Sequence, residues 1–291
     1  MNAVNRILTA SPSRYMLTYQ EKPVKIIVPI KQVPETGNVK MDPQTGTMIR
    51  SGAAAVVNPL DLYAIEAALR LRERHGGSVT AVSMGPPAAI KAIREAIAMG
   101  CDGGVLVSDR KFAGSDTWAT SCTLAAAIRW MGGFDLIVAG ERATDGDTAQ
   151  VGPGLAAWLD VPLATYVAHI TDASETGISV ERLTEEGYQQ VELALPALLT
   201  VVKEIATVRL PTLRGKKRAR QTEVPLLTAA DLDLDGSRLG LKGSPTKVVK
   251  IARPKVARGG ERVALNGDPA AAVDALIAFL ERRQLVTGGR Q

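Results

Sequence analysis

The sequence predicts an α/β protein built on a doubly wound, mostly parallel sheet, with an antiparallel hairpin and an extended C-terminal arm. Two observations carry this prediction. From Val24 onward, short β-branched runs alternate with segments of helical periodicity, which is the pattern of repeated β-α units. Several runs, such as residues 134–139, are apolar without interruption, as are strands that a parallel sheet buries on both faces.

The predicted elements follow in order along the chain. Strands are predicted in VKIIVPI, SVTAVSM, GVLVSD and FDLIVAG, and helices over residues 60–74, 87–99 and 116–130. Right-handed crossovers between such strands place helices on both faces of the sheet. Ligands of these sheets bind outside the carboxyl ends of the strands, so a site is expected in the loops after Val28, Met84 and Ala139.

Beyond Val161 the hydrophobic pattern changes to a period of two residues. The segments ISVERLT and YQQVELAL flank the turn-prone EEG, which predicts an antiparallel hairpin. The strand LLTVVKE follows Pro196 and is expected to return to the core.

The predicted organisation has three parts. After Glu223 the chain becomes richer in Asp, Gly, Arg and Pro, and only residues 269–283 keep a helical pattern. This C-terminal part lacks the apolar mass for a core of its own, so we expect it to pack on a partner subunit. The boundaries are an N-terminal extension over residues 1–22, an α/β domain over residues 23–224 and an arm over residues 225–291.

Composition excludes several classes of protein. The 291 residues are 46% hydrophobic and 22% charged, which is ordinary for a globular chain. No apolar run approaches the roughly 18 residues that cross a bilayer, so no membrane insertion is expected. Aromatic residues make up only 4%, which argues against nucleic-acid binding despite a net charge of +5. The two cysteines and two histidines lack the spacing of a disulfide framework or zinc site, so we expect no metal and a reducing compartment.

The N-terminal segment leaves three interpretations open. Its first twenty residues contain arginine, serine and threonine but no acidic side chain. This composition fits a transit peptide, an untidy N-terminus or a misassigned start, with Met16 as the alternative initiator. A secretion signal is not recognisable, so the expected location is the cytoplasm, or the mitochondrial matrix in a eukaryote.

The most informative segment is GERATDGDTAQVGPG, residues 140–154, which connects a buried strand to a helix. Small residues and free backbone N–H groups at a helix start make a cradle for phosphate. Asp145 and Asp147 can cap the helix, order the loop or bind ribose hydroxyls. The segment matches neither GxGxxG nor the P-loop pattern, so dehydrogenase and kinase assignments lose their main support. A capped helix without a ligand stays open as the alternative.

Five blocks of sequence carry a resemblance to a known family. They are VKIIVPIKQVP, VVNPLDLYAIEAALRL, AVSMGPP, AIAMGCDGGVLVSD and GERATDGDTAQVGP. In this order, over residues 24–220, they resemble the beta subunit of the electron-transferring flavoproteins. The resemblance implies an adenine nucleotide alpha-hydrolase-like, Rossmann-like fold. It also implies an electron carrier that forms a heterodimer with a larger, flavin-carrying alpha subunit.

The resemblance further implies a nucleotide pocket at the strand-end loops that the fold argument selects independently. Family members hold there either AMP, as a structural element, or a second FAD, in members that bifurcate electrons from NADH. The segment DGDTAQVGP resembles the bifurcating group. The resemblance therefore implies FAD in this pocket, with NADH as the electron donor. Glu141 and Arg142 stand where the family usually has a basic residue and Gln, and Arg142 can supply the donor there. The implied pocket residues are Pro29, Lys31, Asn58, Pro59, Leu60, Asp61, Met84, Arg142, Asp145, Gly146, Asp147, Thr148, Ala149, Gln150, Val151 and Gly152.

Residues 205–220, IATVRLPTLRGKKRAR, resemble the recognition loop of the family, in which a leucine anchors into a pocket of an acyl-CoA dehydrogenase. Leu210, followed by Pro211, is the matching position. A leucine ringed by the basic side chains of Arg209, Arg214, Lys216 and Lys217 fits a binding hot spot steered toward an acidic surface. Packing of Leu210 on the chain's own sheet stays open as the alternative.

The expected function is electron transfer without catalytic side chains. Serines and threonines lack a neighbouring histidine, and Cys101 is expected to be buried rather than reactive. A bound flavin supplies the chemistry, and the protein positions it. Two alternatives stay open: an AMP-containing carrier that relays electrons from acyl-CoA dehydrogenases, and an adenine-nucleotide-binding regulatory module without a redox role.

Overall fold

The structure is a computed structural model that describes residues 23–35, 40–41, 48–49, 55–249, 262, 264, 267 and 269–285. The expected N-terminal extension over residues 1–22 lies outside the described residues. The chain divides into two compact units, residues 1–249 and residues 250–291.

The first unit is organised around a nine-stranded sheet, as the sequence predicts. Its strand order is β11-β10-β9-β12-β8-β1-β6-β7-β13. The strands from β9 to β13 in this order pair in parallel, while β9, β10 and β11 pair antiparallel. The strands are β1 Val24–Pro29, β6 Gly77–Met84, β7 Gly103–Val107, β8 Leu136–Gly140, β9 Leu163–Ala173, β10 Gly177–Thr184, β11 Gly187–Ala194, β12 Ala197–Val201 and β13 Leu226–Leu227.

Two small antiparallel pairs lie in the chain between β1 and the first helix. Strands β2 Gln32–Pro34 and β5 Ala55–Val57 form one pair, and β3 Lys40–Met41 and β4 Met48–Ile49 form the other. Strand β5 ends directly before Asn58, so its pairing with β2 holds the chain at the start of the first helix.

Helices cover both faces of the sheet. On one face, α1 Pro59–His75 and α2 Ile90–Met99 pack over Ile26 and Val138, and on the other face α3 Thr117–Trp130 and α4 Val151–Leu159 pack over Ile27 and Ile137. Because successive residues of a strand point to opposite faces, both sets of side chains must be apolar. This explains the uninterrupted apolar runs and confirms the predicted fold class.

Three features were missed or placed differently by the sequence analysis. Strand β9 has eleven residues and joins the predicted hairpin to the parallel part of the sheet. The segment expected as a basic loop contains a helix, α5 Leu213–Gln221, whose N-cap Thr212 accepts a hydrogen bond from the Gly215 N–H at 2.9 Å. The first unit also continues beyond the boundary expected after residue 224, because β13 adds to the sheet and Leu227, Leu232 and Leu239 are buried.

The second unit contains one helix among its described residues, α6 Pro269–Arg282, where the sequence predicts a helix over residues 269–283. It carries Val273, Leu276 and Ile277 at a spacing of three and four residues, which places them on one face. In the part of the chain that the structure describes, no helix has the length and hydropathy needed to span a membrane.

Candidate functional site

The candidate site lies at the carboxyl edge of the parallel sheet. Strands β1, β6, β8 and β12 are parallel, so the loops that follow them open at the same edge. The helix after β8 packs on one face, while α1, which follows β1, packs on the other. The direction of winding therefore reverses between the neighbouring strands β1 and β8, and such a reversal opens a crevice for ligands.

Asn58 connects the loops on the two sides of this crevice. It occupies the N-cap of α1 but makes no side-chain cap to that helix. Instead its Nδ2 donates to Asp61 Oδ1 and to the Arg142 carbonyl, both at 2.9 Å, and its Oδ1 accepts from the Thr144 N–H at 3.1 Å. A fully buried side chain thus holds the backbone of the loop after β8 against the start of α1.

Asp61 completes the connection to the loop after β1. Its Oδ2 accepts a hydrogen bond from the Lys31 N–H at 2.7 Å, and the residue is only 6% exposed. Burial raises the pKa of Asp61 to about 7, against the opposing effects of the hydrogen bonds from Asn58 and Lys31. The carboxyl group therefore changes its protonation state near neutral pH.

Gly140 is required by the close approach of β8 to this carboxylate. A Cβ atom at residue 140 would lie 2.4 Å from Asp61 Oδ1 and 2.9 Å from the carbonyl carbon of Leu60. These distances are far below van der Waals contact, so only glycine lets the end of β8 lie beside the start of α1.

The loop over residues 141–150 is exposed and conformationally unusual. Asp147 and Ala149 have φ of 52° and 53°, a left-handed conformation that is uncommon for residues with a side chain. Two ion pairs hold the loop: Lys31 Nζ lies 2.7 Å from Asp145 Oδ1, and Arg142 Nε lies 3.1 Å from Asp147 Oδ1. Strained residues tend to persist at ligand sites, where the surroundings over-determine them.

Helix α4 begins directly after this loop with its first N–H groups uncapped by a side chain. Gln150 is the N-cap, but its Oε1 accepts a hydrogen bond from Thr117 Oγ1 at 2.8 Å and does not cap the helix. Gly152 lets the first turn pack on Thr200, since a Cβ there would lie 2.4 Å from Thr200 Cγ2. The loop and the uncapped N–H groups of α4 form a cradle whose helix end suits an anion, while its cations Lys31 and Arg142 are paired with Asp145 and Asp147.

The structure brings most of the sequence-predicted residues to this edge. Pro29, Asn58, Asp61 and Gly152 are buried, whereas the residues at positions 145–148 are exposed and line the open side. Pro59 and Leu60 form the first turn of α1, Met84 is half-buried at the end of β6 and packs against the core under α3, and Val151 opens α4.

Sequence reasoning missed the supporting residues Thr117, Ser121 and Thr200. Ser121 packs against Gly154, where a Cβ would lie 2.7 Å from the serine Oγ. The small size of Gly152 and Gly154 signalled a close approach, but nothing in the sequence identified what approaches them.

The segment predicted to bind a dehydrogenase presents two exposed leucines. Leu210 is 86% exposed and Leu213 is 87% exposed, so the alternative in which Leu210 packs on its own sheet is wrong. Pro211 is half-buried between them, and Arg214 is exposed in the first turn of α5.

Arg209 does not serve as one of the steering charges around Leu210, contrary to the sequence interpretation. Its Nε donates to Glu66 Oε2 at 2.8 Å, and its Nη1 and Nη2 donate to the Glu73 carboxylate at 2.6 and 3.0 Å. The guanidinium therefore binds α1 and holds the chain at the start of residues 210–213, the leucine segment. Arg214, Lys216 and Lys217 are exposed in α5, which begins three residues after Leu210.

Helix α5 is anchored on the other side of the leucine segment. A Cβ at Gly215 would lie 2.0 Å from the Ala98 carbonyl oxygen, so α5 packs directly on the backbone of α2. Arg218 Nη2 donates to the carbonyls of Ile97 and Cys101 at 2.8 and 2.7 Å. The leucine segment is thus a short exposed stretch of chain that Arg209 holds on α1 at one end and the packing of α5 on α2 holds at the other.

Other reactive groups are few in the described part of the chain. Burial raises the pKa of the Cys101 thiol to about 12, so it stays protonated at neutral pH. Among these residues no group of three or more His, Cys, Asp or Glu side chains is placed to hold a metal ion.

Comparison with known proteins shows what this arrangement is similar to. A model of the electron transfer flavoprotein domain matches residues 45–232. The chain is 46% identical over 264 residues to the electron transfer flavoprotein subunit beta of Thermoanaerobacterium thermosaccharolyticum, which covers 90% of this chain and 100% of that protein. It is 44% identical over 241 residues to the caffeyl-CoA reductase-Etf complex subunit CarD of Acetobacterium woodii, covering 82% and 92% of the two chains. It is 42% identical over 266 residues to Protein FixA of Azorhizobium caulinodans, covering 89% and 94%.

The fold alone places the chain among the doubly wound α/β proteins that present their loops at one sheet edge. The chain belongs to the electron transfer flavoprotein family. Its homologues are the beta subunits of that family, and its class of function is electron transfer.

Proposed function

We propose that this chain is the beta subunit of a bifurcating electron transfer flavoprotein, with FAD bound in the cradle and NADH as electron donor. The observation that carries the proposal is the open loop over residues 145–149 beside the uncapped start of α4. A Cβ at Gly146 would have no neighbour within 4 Å, so the loop is open on that side and leaves space for a bound nucleotide.

The residues present fit a dinucleotide. The N–H groups at the start of α4 suit the pyrophosphate, and Lys31 and Arg142 would supply positive charge if the nucleotide displaced them from Asp145 and Asp147. Once released from these pairs, the carboxylates of Asp145 and Asp147 would be able to accept hydrogen bonds from ribose hydroxyls. The chemistry that FAD supplies when bound is acceptance of hydride from NADH and release of electrons one at a time. The chain's own contribution would be to bind the flavin and to orient it.

The partner in this proposal is a larger alpha subunit that carries the second flavin. In this proposal the two flavins would divide the electrons of NADH, one passing toward the flavin of the alpha subunit and one along a route of lower potential. Helix α6 supports the pairing, since Val273, Leu276 and Ile277 form an apolar face that fits a partner surface. A relative with 44% identity is named as a subunit of a caffeyl-CoA reductase-Etf complex, so that relative works in such an assembly.

Nucleotide content tests the proposal directly. The chain is co-expressed with its large subunit, the complex is purified and denatured, and released FAD and AMP are quantified per heterodimer. Two FAD and no AMP support the proposal. One FAD and one AMP identify the non-bifurcating carrier, and a flavin-free homo-oligomer identifies a regulatory module.

Asp147 provides a prediction for the cradle. Asp147→Ala should lower nucleotide occupancy about tenfold, because the variant loses the Arg142 contact and puts a residue that tolerates left-handed backbone poorly at φ 52°. Asp147→Asn separates these effects, since Asn tolerates that conformation but carries no charge. Full occupancy in purified Asp147→Ala protein would contradict the pocket assignment.

Leu210 provides a prediction for the dehydrogenase surface. Leu210→Ala should weaken coupling to an acyl-CoA dehydrogenase or related flavoenzyme by about tenfold or more, as loss of a hot-spot anchor does, and leave nucleotide content intact. The measurement is the electron-transfer rate at limiting concentration of the complex. Leu213→Ala is the matched control, because Leu213 is equally exposed. Equal effects of the two substitutions would show that Leu210 is not the specific anchor.

A further inference from the structure

The first turn of α4 has one backbone donor fewer than an ordinary helix start. The Gly154 N–H makes the first hydrogen bond of the helix, to the Gln150 carbonyl at 2.9 Å. In most helices the four N–H groups before this bond are free for a ligand. Here these are the groups of residues 150–153, and Pro153 has no N–H. An anion at this helix start therefore lacks one of its usual donors.

Gln150 is the N-cap residue at this helix start, but its side chain does not cap the helix. Its backbone has φ of −101° and ψ of −20°, whereas a capping residue usually has an extended backbone. Its Oε1 instead accepts a hydrogen bond from the Thr117 hydroxyl at 2.8 Å. Because Oε1 and Nε2 lie on opposite sides of the amide group, Nε2 and its two N–H donors face away from Thr117.

Thr117 is the first residue of α3, and the start of that helix is held in place by its N-cap residue Asp116. One oxygen of Asp116, Oδ1, accepts a hydrogen bond from the Ala119 N–H at 3.0 Å. The other, Oδ2, accepts from the backbone N–H and the hydroxyl of Thr246 at 2.9 and 2.8 Å. Bonds inside the helix and from the chain at Thr246 therefore fix the position from which Thr117 reaches Gln150.

We propose that Thr117 is a positioning residue: its hydroxyl orients the Gln150 amide so that Nε2 donates to a phosphate of the bound nucleotide, in place of the N–H that Pro153 lacks. The neutral amide can do so without the breaking of an ion pair, whereas Lys31 and Arg142 are paired with carboxylates. The proposal rests on the proposed function only in that a nucleotide binds in the cradle. It applies equally to FAD and to AMP, because both carry phosphate.

The hydroxyl matters because an amide group presents a donor on one side and an acceptor on the other. With Thr117 donating to Oε1, the acceptor side of Gln150 is occupied and the donor side is left for the ligand. Without the hydroxyl neither side is held, and Oε1 can turn toward the phosphate, where two acceptors repel each other. The loss should therefore weaken the binding of phosphate and spare the binding of the nucleoside.

A comparison of AMP with adenosine, which lacks the phosphate, tests the proposal. The full complex with its large subunit is freed of the nucleotide that this chain holds, and the dissociation constants of both probes are measured by calorimetry. In Thr117→Val the dissociation constant of AMP should rise about tenfold, as expected for the loss of one hydrogen bond to a charged group, while that of adenosine stays within about twofold. Thr117→Ser keeps the hydroxyl, so both constants should match those of the wild type.

Thr123→Val is the matched control, because the Thr123 hydroxyl donates to the Ala119 carbonyl at 2.8 Å within the same helix and does not reach Gln150. This variant should leave both dissociation constants unchanged. A double-mutant cycle then tests whether Thr117 acts through Gln150. Gln150→Ala should weaken AMP binding by itself, and adding Thr117→Val to it should weaken AMP binding no further.

The outcomes separate this proposal from the proposed function. Equal losses of AMP and adenosine affinity in Thr117→Val, unchanged AMP affinity, or additive losses in the double variant would overturn the positioning role. If the purified wild-type complex holds AMP instead of a second FAD, the bifurcating function fails, and the positioning role stands when the variants behave as expected. A wild-type complex that binds neither nucleotide through this chain overturns both.

Discussion

Replacing Arg209 with methionine should lower the free energy of unfolding by about 2–3 kcal/mol, because the buried Glu66 carboxylate loses the charge-assisted hydrogen bonds of the Arg209 guanidinium and keeps only the Arg70 side chain and the backbone N–H of residue 209. The Glu66 side chain is only 3% exposed, and Arg209 meets it through Nε, Nη2 and its own backbone N–H. Methionine keeps the apolar stem of the side chain, so the loss reports on the charge. The measurement is urea unfolding of the full chain.

Arg70→Met is the matched control for this prediction. Arg70 also binds Glu66, with its Nε 2.7 Å from Oε1, but its own side chain is 44% exposed. An exposed partner contributes less than about 1 kcal/mol, so the control should unfold close to the wild type. Equal losses in the two variants would show that Arg209 is no more than a surface ion pair.

The difference in free energy of unfolding between the wild type and Arg209→Met should change with pH in a definite direction. Burial raises the pKa of Glu66, but the hydrogen bonds from Arg209 and Arg70 outweigh burial and hold that pKa below its ordinary value. A carboxylate with a lowered folded-state pKa stabilises fully above its unfolded-state pKa, and this contribution is lost as the pH falls through the folded-state value. The gap between wild type and Arg209→Met should therefore be widest at neutral pH and narrow in acid.

This anchor also has a consequence for electron transfer. Arg209 directly precedes Leu210 and fixes the base of the leucine segment on α1. Coupling to the proposed dehydrogenase partner should therefore weaken in Arg209→Met although Leu210 itself is unchanged. A destabilised variant that couples at the full wild-type rate would show that the segment holds its shape without the anchor.

Gly140→Ala is the second substitution with a large expected effect. The new Cβ would lie 2.4 Å from Asp61 Oδ1, and 2.9 and 3.0 Å from backbone atoms of Leu60 and Asp61. Because backbone cannot give way as a flexible side chain does, we expect a loss of about 2–3 kcal/mol and a lower nucleotide occupancy. Urea unfolding and the nucleotide content of the purified complex measure the two effects.

Gly146→Ala is the control within the same loop. A Cβ there meets nothing within 4 Å, so the free energy of unfolding should change by less than about 0.5 kcal/mol. Comparable destabilisation by the two alanines would mean that the loop is sensitive to any added side chain, and that the contact between β8 and α1 is not the cause.

Much of the fold was predictable from the sequence for a local reason. Strands buried on both faces must be apolar at every position, and the hairpin exposes one face, so its side chains alternate; both patterns can be counted along the chain. Helix α5 escaped prediction because it buries only Ala219 and therefore lacks an apolar stripe. Strand β9 escaped because a register shift interrupts its alternation, with Tyr166 at φ 57°.

For the candidate site, too, some features were predictable from the sequence and others depend on the tertiary structure. The sequence by itself determined the parallel sheet, the edge at which its loops open and the small, flexible composition of residues 140–154. Only the tertiary structure decided that Asp61, Asn58 and Gly140 meet behind that loop, and that Arg209 binds Glu66 although the two are 143 positions apart. The physical reason is that periodicity and turn chemistry act over a few residues, whereas a buried charge or a missing Cβ has meaning only through the atoms that folding brings against it.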